Sequence, residues 1–359
     1  MAHPVVGLVG CGTIGRFHSR NIRGVVQSEL VPAEYAAVAD LRRERAESFA
    51  AIAGVSGVYE EGTELMDVPG LTAVYICAQT SQHPALVEAA ASRGLDIFCE
   101  KPLARNLAEA RSMVEAVEVA GVRTQVGLVL RRSPILNVLA DLMADPGLGP
   151  LMTAHLRDDQ FFPVRGHYNS TWRGDVREAG GGTLIEHSIH DVDVFRWFFG
   201  EIDRVRCHTR YVSGREGVED VALATFQHSA GHVTTLSSVW HEMDGRPSTR
   251  RLEVFFQNGW FAIDDDVLGP IRYQGKDGDA ATIEPHEVMD RYAELRGLSG
   301  DERVLAERGM EADYRFLEAL NHGEAPFPDF RVALRAHEVV DACYRSAALG
   351  EEVTVASEP

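Results

Sequence analysis

Four residues near the middle of the chain, Glu186, His190, Asp193 and Trp197, stand at intervals of four, three and four. On a helix that spacing draws one stripe along a single face. Ile185, Ile189 and Val192 fall on a neighbouring face of core character. Ionisable groups in line on so apolar a helix are costly unless they line a cleft or are paired. A histidine flanked by carboxylates suits proton transfer near neutral pH. His190 is therefore the candidate acid or base. Glu186, one turn earlier, can orient the imidazole or bind a substrate hydroxyl. Gly180-Gly181-Gly182 just before it lets the backbone approach a ligand or another strand closely. His187 falls one step off the stripe, which reads as structural.

Lys101 is the second candidate. Asp96-Ile97-Phe98-Cys99 reads as a strand and runs into Glu100-Lys101-Pro102-Leu103. Pro102 holds Lys101 extended and is a candidate for a cis bond. A lysine at the C-terminal edge of a parallel sheet stands where such sheets bind ligands. Taken alone it would read as a solvated lysine at a strand end. Its neighbours in the sequence change that reading.

The N-terminus supplies the neighbours. Val5–Val9 is a buried-strand run, followed by Gly10-Cys11-Gly12-Thr13-Ile14-Gly15. Gly10 permits a tight turn, Gly12 lets a pyrophosphate reach the backbone, and Gly15 lets helix and strand pack closely. The pyrophosphate would then sit on free N–H groups at the start of the helix through Thr13 and Ile14. A second strand, Tyr35–Ala39, ends in Asp40, the acidic residue suited to ribose hydroxyls and hostile to a 2′-phosphate. The cofactor read from this is NAD rather than NADP. Beside a nicotinamide, His190 could take a hydroxyl proton and Lys101 could stabilise the alkoxide as the carbon is oxidised.

These residues need a frame. Over the first third, strands at Val5–Val9, Tyr35–Ala39, Ala73–Ala78, Asp96–Cys99 and Thr124–Gly127 alternate with helical stretches, as in a doubly wound parallel sheet. After Pro150 long strand-like stretches follow one another, separated by hairpin-like turns. The expected fold is α/β: an N-terminal Rossmann domain, 1–127, and a C-terminal α/β domain, 128–359, with a large, mostly antiparallel open sheet. The glycine-rich segment 267–290 reads as loop. The amphipathic helix 331–349 could pack back on the first domain.

Bulk properties narrow the classes. A formal charge of −19 argues against nucleic acid and anionic membrane. No apolar run reaches membrane-span length. Met1-Ala2-His3-Pro4 shows no signal region, and five scattered cysteines without zinc spacing read as reduced thiols in a cytoplasm.

Together, Gly10–Gly15, Thr80-Ser81-Gln82-His83, Glu100-Lys101-Pro102, Trp172-Arg173 and Gly180–Asp193 resemble the glucose–fructose oxidoreductase and inositol dehydrogenase family over nearly the whole chain. The resemblance implies NAD- or NADP-dependent chemistry on secondary alcohols of sugars, inositols and related polyols, and a homodimer or homotetramer. It makes Lys101 the family lysine and His190 the family catalytic histidine. It places Thr80, His83, Glu100 and Lys101 near the cofactor. Substrate contacts are sought among Lys101, Asp159, Trp172, Arg173, Glu186 and His190. Glu186 stands where many members carry aspartate, a departure that bears on substrate subclass. Two other classes remain: a facial metal site made by Glu186, His190 and Asp193, and a non-catalytic sensor of nucleotide and sugar. The first leaves the glycine turn and Lys101 without purpose. The second has no need of a base and a cation.

Overall fold

The computed structural model describes residues 3–166 and 168–355; Met1 and Ala2, part of the N-terminal reading above, lie outside them. The chain forms two compact units. The first comprises residues up to Leu128 together with Ser299–Leu334, and the second Val129–Leu298 together with the chain from Arg335.

The first unit is built on six parallel strands: β1 (Val5–Val9), β2 (Glu34–Ala39), β3 (Gly57–Tyr59), β4 (Ala73–Ile76), β5 (Asp96–Cys99) and β6 (Thr124–Val126). Their order, β3-β2-β1-β4-β5-β6, reverses direction between β1 and β4. Ligands of doubly wound sheets bind outside the strand C-termini at that reversal. The strands read as apolar runs because both faces are covered: Leu8, Val38, Val74, Ile76, Ile97 and Phe98 are wholly buried. Three-residue β3 is too short to show a period, and the sequence reading passed over it.

One assignment changes. Segment 299–334, expected in the second domain, belongs to the first unit. The reason is apolar. Helix Glu311–His322 buries Tyr314, Phe316, Leu317 and Leu320 in the same cluster as Val6, Leu8, Tyr75 and Phe98. Of the helix Phe330–Leu349, only the start belongs with the first unit, where Phe330 and Ala333 join the core beside Val126 and Leu128.

The second unit is built on nine strands: β7 (Leu151–Phe161), β8 (Ile202–Arg210), β9 (Val221–His228), β10 (Val233–His241), β11 (Thr249–Phe256), β12 (Gly259–Ile263), β13 (Ile271–Gly275), β14 (Ala281–Ile283) and β15 (Val353–Thr354). Their order is β14-β13-β12-β11-β7-β10-β9-β8-β15, antiparallel except for the pair β7 and β10. Strict alternation sends Ala154, Leu156 and Asp158 of β7 to one face, with Ser238 of β10 and Arg250, Leu252 and Val254 of β11.

The expected loop 267–290 instead holds β13, β14 and the first turns of helix Pro285–Arg296. The strands lie at a sheet edge, where polar residues cost little. The helix start follows a local signal that was overlooked: Glu287 accepts the Glu284 N–H at 2.9 Å, and Pro285 occupies the first turn.

The expected helical stripe is also broken. Thr183–Glu186 forms one turn, and a new helix, Ile189–Phe199, begins after His187 and Ser188. The two intervening side chains bond to the sheet. His187 Nε2 lies 3.0 Å from Asp158, and the Ser188 hydroxyl donates to Ser238 at 2.6 Å. Glu186 thus ends one helix and His190 lies in the first turn of the next.

Candidate active site

The glycine turn after β1 is set by close approaches. Gly10 has φ +100°, and a Cβ there would run into the Cys77 main chain. A Cβ on Gly15 would strike the Gly10 carbonyl oxygen, so the helix Thr13–Ser28 packs on the turn itself. Gly12 is different: a Cβ there would meet nothing within 4 Å. No side chain caps the helix that starts at Thr13. Asp40, at the tip of β2, accepts the Cys11 N–H at 3.0 Å and the Arg42 N–H at 3.0 Å. Open space over Gly12, an uncapped helix start and an acid at the next strand tip fit NAD. Thr80 is buried at the start of the short turn Thr80–Gln82.

Lys101 leaves β5 with its peptide bond to Pro102 cis. Its main-chain N–H donates to Glu100 Oε2 at 3.2 Å. The other Glu100 oxygen lies 2.9 Å from His18 Nε2, and His18 Nδ1 lies 2.7 Å from Asp313 Oδ1. Asn21 donates to the second Asp313 oxygen at 2.8 Å. Both ring nitrogens of His18 meet carboxylates, so both must carry hydrogen. Burial disfavours the charged ring, but Asp313 and Glu100 push its pKa up to about 10. Burial likewise opposes the Glu100 carboxylate, yet His18 and Lys101 hold it below its ordinary range. On the other flank, His83 Nδ1 lies 3.1 Å from the carbonyl oxygens of both Pro102 and Leu103, and Nε2 lies 3.2 Å from that of Ala78. His83, assigned to the cofactor set from the sequence, here ties the chain after β4 to the turn that follows Lys101.

In the second unit the two carboxylates of the expected stripe each hold an arginine. Glu186, buried, accepts from Arg173 Nε at 2.8 Å. Arg173 also donates to the Ser170 hydroxyl at 2.8 Å and lies 4.5 Å from the Trp172 ring centre. Trp172, Arg173 and Glu186 are therefore brought together. Asp193 takes a two-pronged bond from Arg131, 2.8 Å on each side, and Arg131 lies over Trp197. His190 is buried in the first turn of its helix. Among the described residues no group of three or more His, Cys, Asp or Glu is placed to hold a metal ion. The glycine triplet answers to packing: a Cβ on Gly182 would strike the main chain of Glu219. The Glu219 carboxylate accepts the N–H groups of Gly182 at 2.7 Å and Leu184 at 2.9 Å, and burial pushes its pKa up to about 6.

Asp159 is not brought to this group. Alternation turns it to the opposite face of β7 from Asp158. There it accepts from the Thr249 hydroxyl at 2.7 Å and from Arg246 at 2.8 Å, and pairs with Arg157 at 2.9 Å.

A family profile described as an oxidoreductase family with an NAD-binding Rossmann fold matches residues 5–128, and the GFO/IDH/MocA C-terminal domain matches residues 137–262. The chain belongs to this family. An inositol 2-dehydrogenase of Rhizobium meliloti is 27% identical over 98% of both chains. The scyllo-inositol 2-dehydrogenase (NAD(+)) of Bacillus subtilis is 31% identical over 64% of this chain and 66% of its own. In fold the chain matches levoglucosan dehydrogenase, solved with NADH and L-sorbose, with a TM-score of 0.86 over 99% of both chains at 22% identity. As a member of the family the protein is an oxidoreductase with an NAD-binding Rossmann fold.

Several buried partners are not among the residues that sequence spacing singles out. His18 and Asp313 are 295 positions apart. Behind the helix Ile189–Phe199, Arg250 reaches Asp158 at 2.8 Å, Asp191 at 2.5 Å, and Asp266. Burial opposes the Asp158 carboxylate, but Arg250 and His187 hold it well below the ordinary range. Burial and the neighbouring Asp158 push Asp191 up. One signal was available for each group. His18 shares the buried face of its helix with Ile22 and Val25, and Arg250 takes the inward place in the alternation with Leu252 and Val254.

Proposed function

We propose that the protein oxidises a secondary alcohol of a cyclitol or sugar, or reduces the matching ketone, with His190 as the acid or base and Lys101 as the cation on the reacting oxygen. The observation that carries this reading is how the neighbouring carboxylates in the sequence are engaged. Glu186 and Asp193 are each committed to an arginine, so His190 is the group suited to exchange a proton. A neutral ring nitrogen of His190 takes the hydroxyl proton during oxidation and returns it during reduction. The Lys101 ammonium stabilises negative charge as it develops on that oxygen. Arg173, bonded to Glu186 and lying over the Trp172 ring, would hold further hydroxyls. Gly10, Gly12, Thr13, Ile14, Gly15, Asp40 and Thr80 would hold NAD, which supplies the redox chemistry when bound.

Inositol dehydrogenases among the relatives support the substrate class. The test is a panel of inositols, sugars and keto-sugars followed by NADH absorbance. We expect turnover with at least one cyclitol or sugar. NADH binding with no turnover across the panel would favour the sensor. Asp40→Ser should relax a preference for NAD over NADP of roughly ten- to a hundredfold, the scale of one charge-assisted hydrogen bond. Equal catalytic efficiency of the unaltered enzyme with both cofactors would sink this.

Self-association as a homodimer or homotetramer is proposed through the nine-stranded sheet, where Leu223, Val233 and Phe255 are exposed on one face. Light scattering would give the number. Among the described residues no helix is long and apolar enough to cross a membrane. The five cysteines are free and buried, which supports a reducing, cytoplasmic setting.

A further inference from the structure

We propose that His18 is a positioning residue for Lys101: held by Asp313 on one side, it fixes the Glu100 carboxylate that receives the Lys101 main-chain N–H, and so aims the turn that presents the lysine. The inference rests on the reading that Lys101 acts on the reacting oxygen.

Three separate segments meet here. His18 lies on the helix that starts at the glycine turn, Glu100 follows β5, and Asp313 lies on Glu311–His322. All three side chains are buried. Rings pack around the imidazole, with Phe98 at 4.8 Å and Tyr75 at 5.9 Å between centres. Apolar side chains of similar volume could fill such a core at equal or better stability. A row of carboxylate, imidazolium and carboxylate adds direction, because each bond fixes an orientation as well as a distance. Its last carboxylate is the one next to Lys101. Gly127 leaves the room that carboxylate occupies: a Cβ there would run into Glu100 Oε1. The far side of the turn is held as well, by His83 on the carbonyls of Pro102 and Leu103. Lys101 is thus presented from a segment pinned before and after it. Misplacement of a charged group by about 1 Å can cost on the order of a hundredfold in rate.

A residue that only stabilises the fold would lower activity whether or not Lys101 is present. One that acts through Lys101 would not. The experiment is therefore a double-mutant cycle with His18→Gln and Lys101→Met, reading kcat and KM on the substrate found by the panel and NADH affinity by fluorescence. We expect His18→Gln alone to lower kcat by roughly ten- to a hundredfold, with KM and NADH affinity nearly unchanged. In the Lys101→Met background the same change should lower kcat by less than about twofold. Equal losses in the two backgrounds would overturn the inference, as would unchanged kcat in His18→Gln. If Lys101→Met alone keeps full turnover, the Lys101 reading itself fails and this inference falls with it. Should His18→Gln not fold, Asp313→Asn takes its place. It leaves His18 and Glu100 in contact but loosens the row, and its smaller loss of kcat should again vanish in the Lys101→Met background.

Discussion

The turn that carries Lys101 and the helix start that carries His190 both keep carboxylates out of water, but they neutralise them with different cations. At the Lys101 turn the cation is an imidazolium, His18, between Glu100 and Asp313. At the His190 helix start the cations are mainly guanidiniums: Arg173 on Glu186, Arg131 on Asp193, and Arg250 among Asp158, Asp191 and Asp266, with His187 also on Asp158. An arginine stays charged at any pH a protein survives, and its planar fork fixes geometry through paired bonds. A histidine keeps its charge above neutral pH only where its partners stabilise the proton on its ring. As proposed, one region moves a proton and the other presents a permanent charge. The region proposed to move a proton is framed mainly by arginines, which do not titrate, with one histidine, His187, on Asp158. The region with the permanent charge is framed by a cation that does titrate.

The largest expected effect tests the first half of that contrast. His190→Asn should lower turnover by roughly a hundred- to ten-thousandfold, the usual worth of a positioned acid or base. NADH binding should hardly change. Near wild-type turnover in this variant would leave the helix start with no proton-transfer role.

Next comes the arginine frame. Arg250→Met removes the cation and leaves buried Asp158 and Asp191 facing each other. Breaking a buried pair from one side costs about 3–5 kcal/mol of stability. Denaturant unfolding should show it directly. A loss below about 1 kcal/mol, the scale of an exposed pair, would mean that the network is solvated and does not frame the helix.

Lys101→Met keeps length and removes charge. Turnover should fall by about two orders of magnitude, as when one oxyanion donor is lost. NADH affinity should change little, since the glycine turn and Asp40 lie on other strands. Lost NADH binding with full turnover at saturating cofactor would make Lys101 a cofactor residue instead.

What could be read from the sequence in each region depended on how far apart the partners lie along the chain. The glycine turn, the strand before Lys101 and the spacing around His190 are local patterns, and the strands β1 and β5 fall where the apolar runs put them. The break at His187 and Ser188 could not be read locally. It depends on Asp158 and Ser238, 29 and 50 positions away. The order of the nine strands and the row from Asp313 to Glu100 have the same character, being pairings over long separations that no window contains. Periodicity marks a buried position. It does not say which charge will be waiting there.

The smallest effect separates the two frames by pH. His18 gains protonation on folding, from an ordinary value near 6.5 to about 10. Its contribution to stability is therefore complete below about pH 6.5 and is lost as pH rises through about 10. The slope over that range is at most about 1.4 kcal/mol per pH unit. Glu100 runs the other way: its pKa is lowered from 4.5, so its contribution is present above that value and is lost as pH falls through the lowered one. The arginine frame adds no loss on the alkaline side, because its cations do not titrate there. Asp313→Asn isolates the histidine. It should melt below the unaltered protein at pH 7, where His18 is charged, and the gap should shrink as pH approaches 10 and the charge is lost in both. Tyrosines and lysines that titrate in the same range act on both proteins alike and cancel in the difference. A gap that stays constant from pH 7 to 10 would show that His18 does not carry its proton between Glu100 and Asp313, and the contrast between the two regions would dissolve.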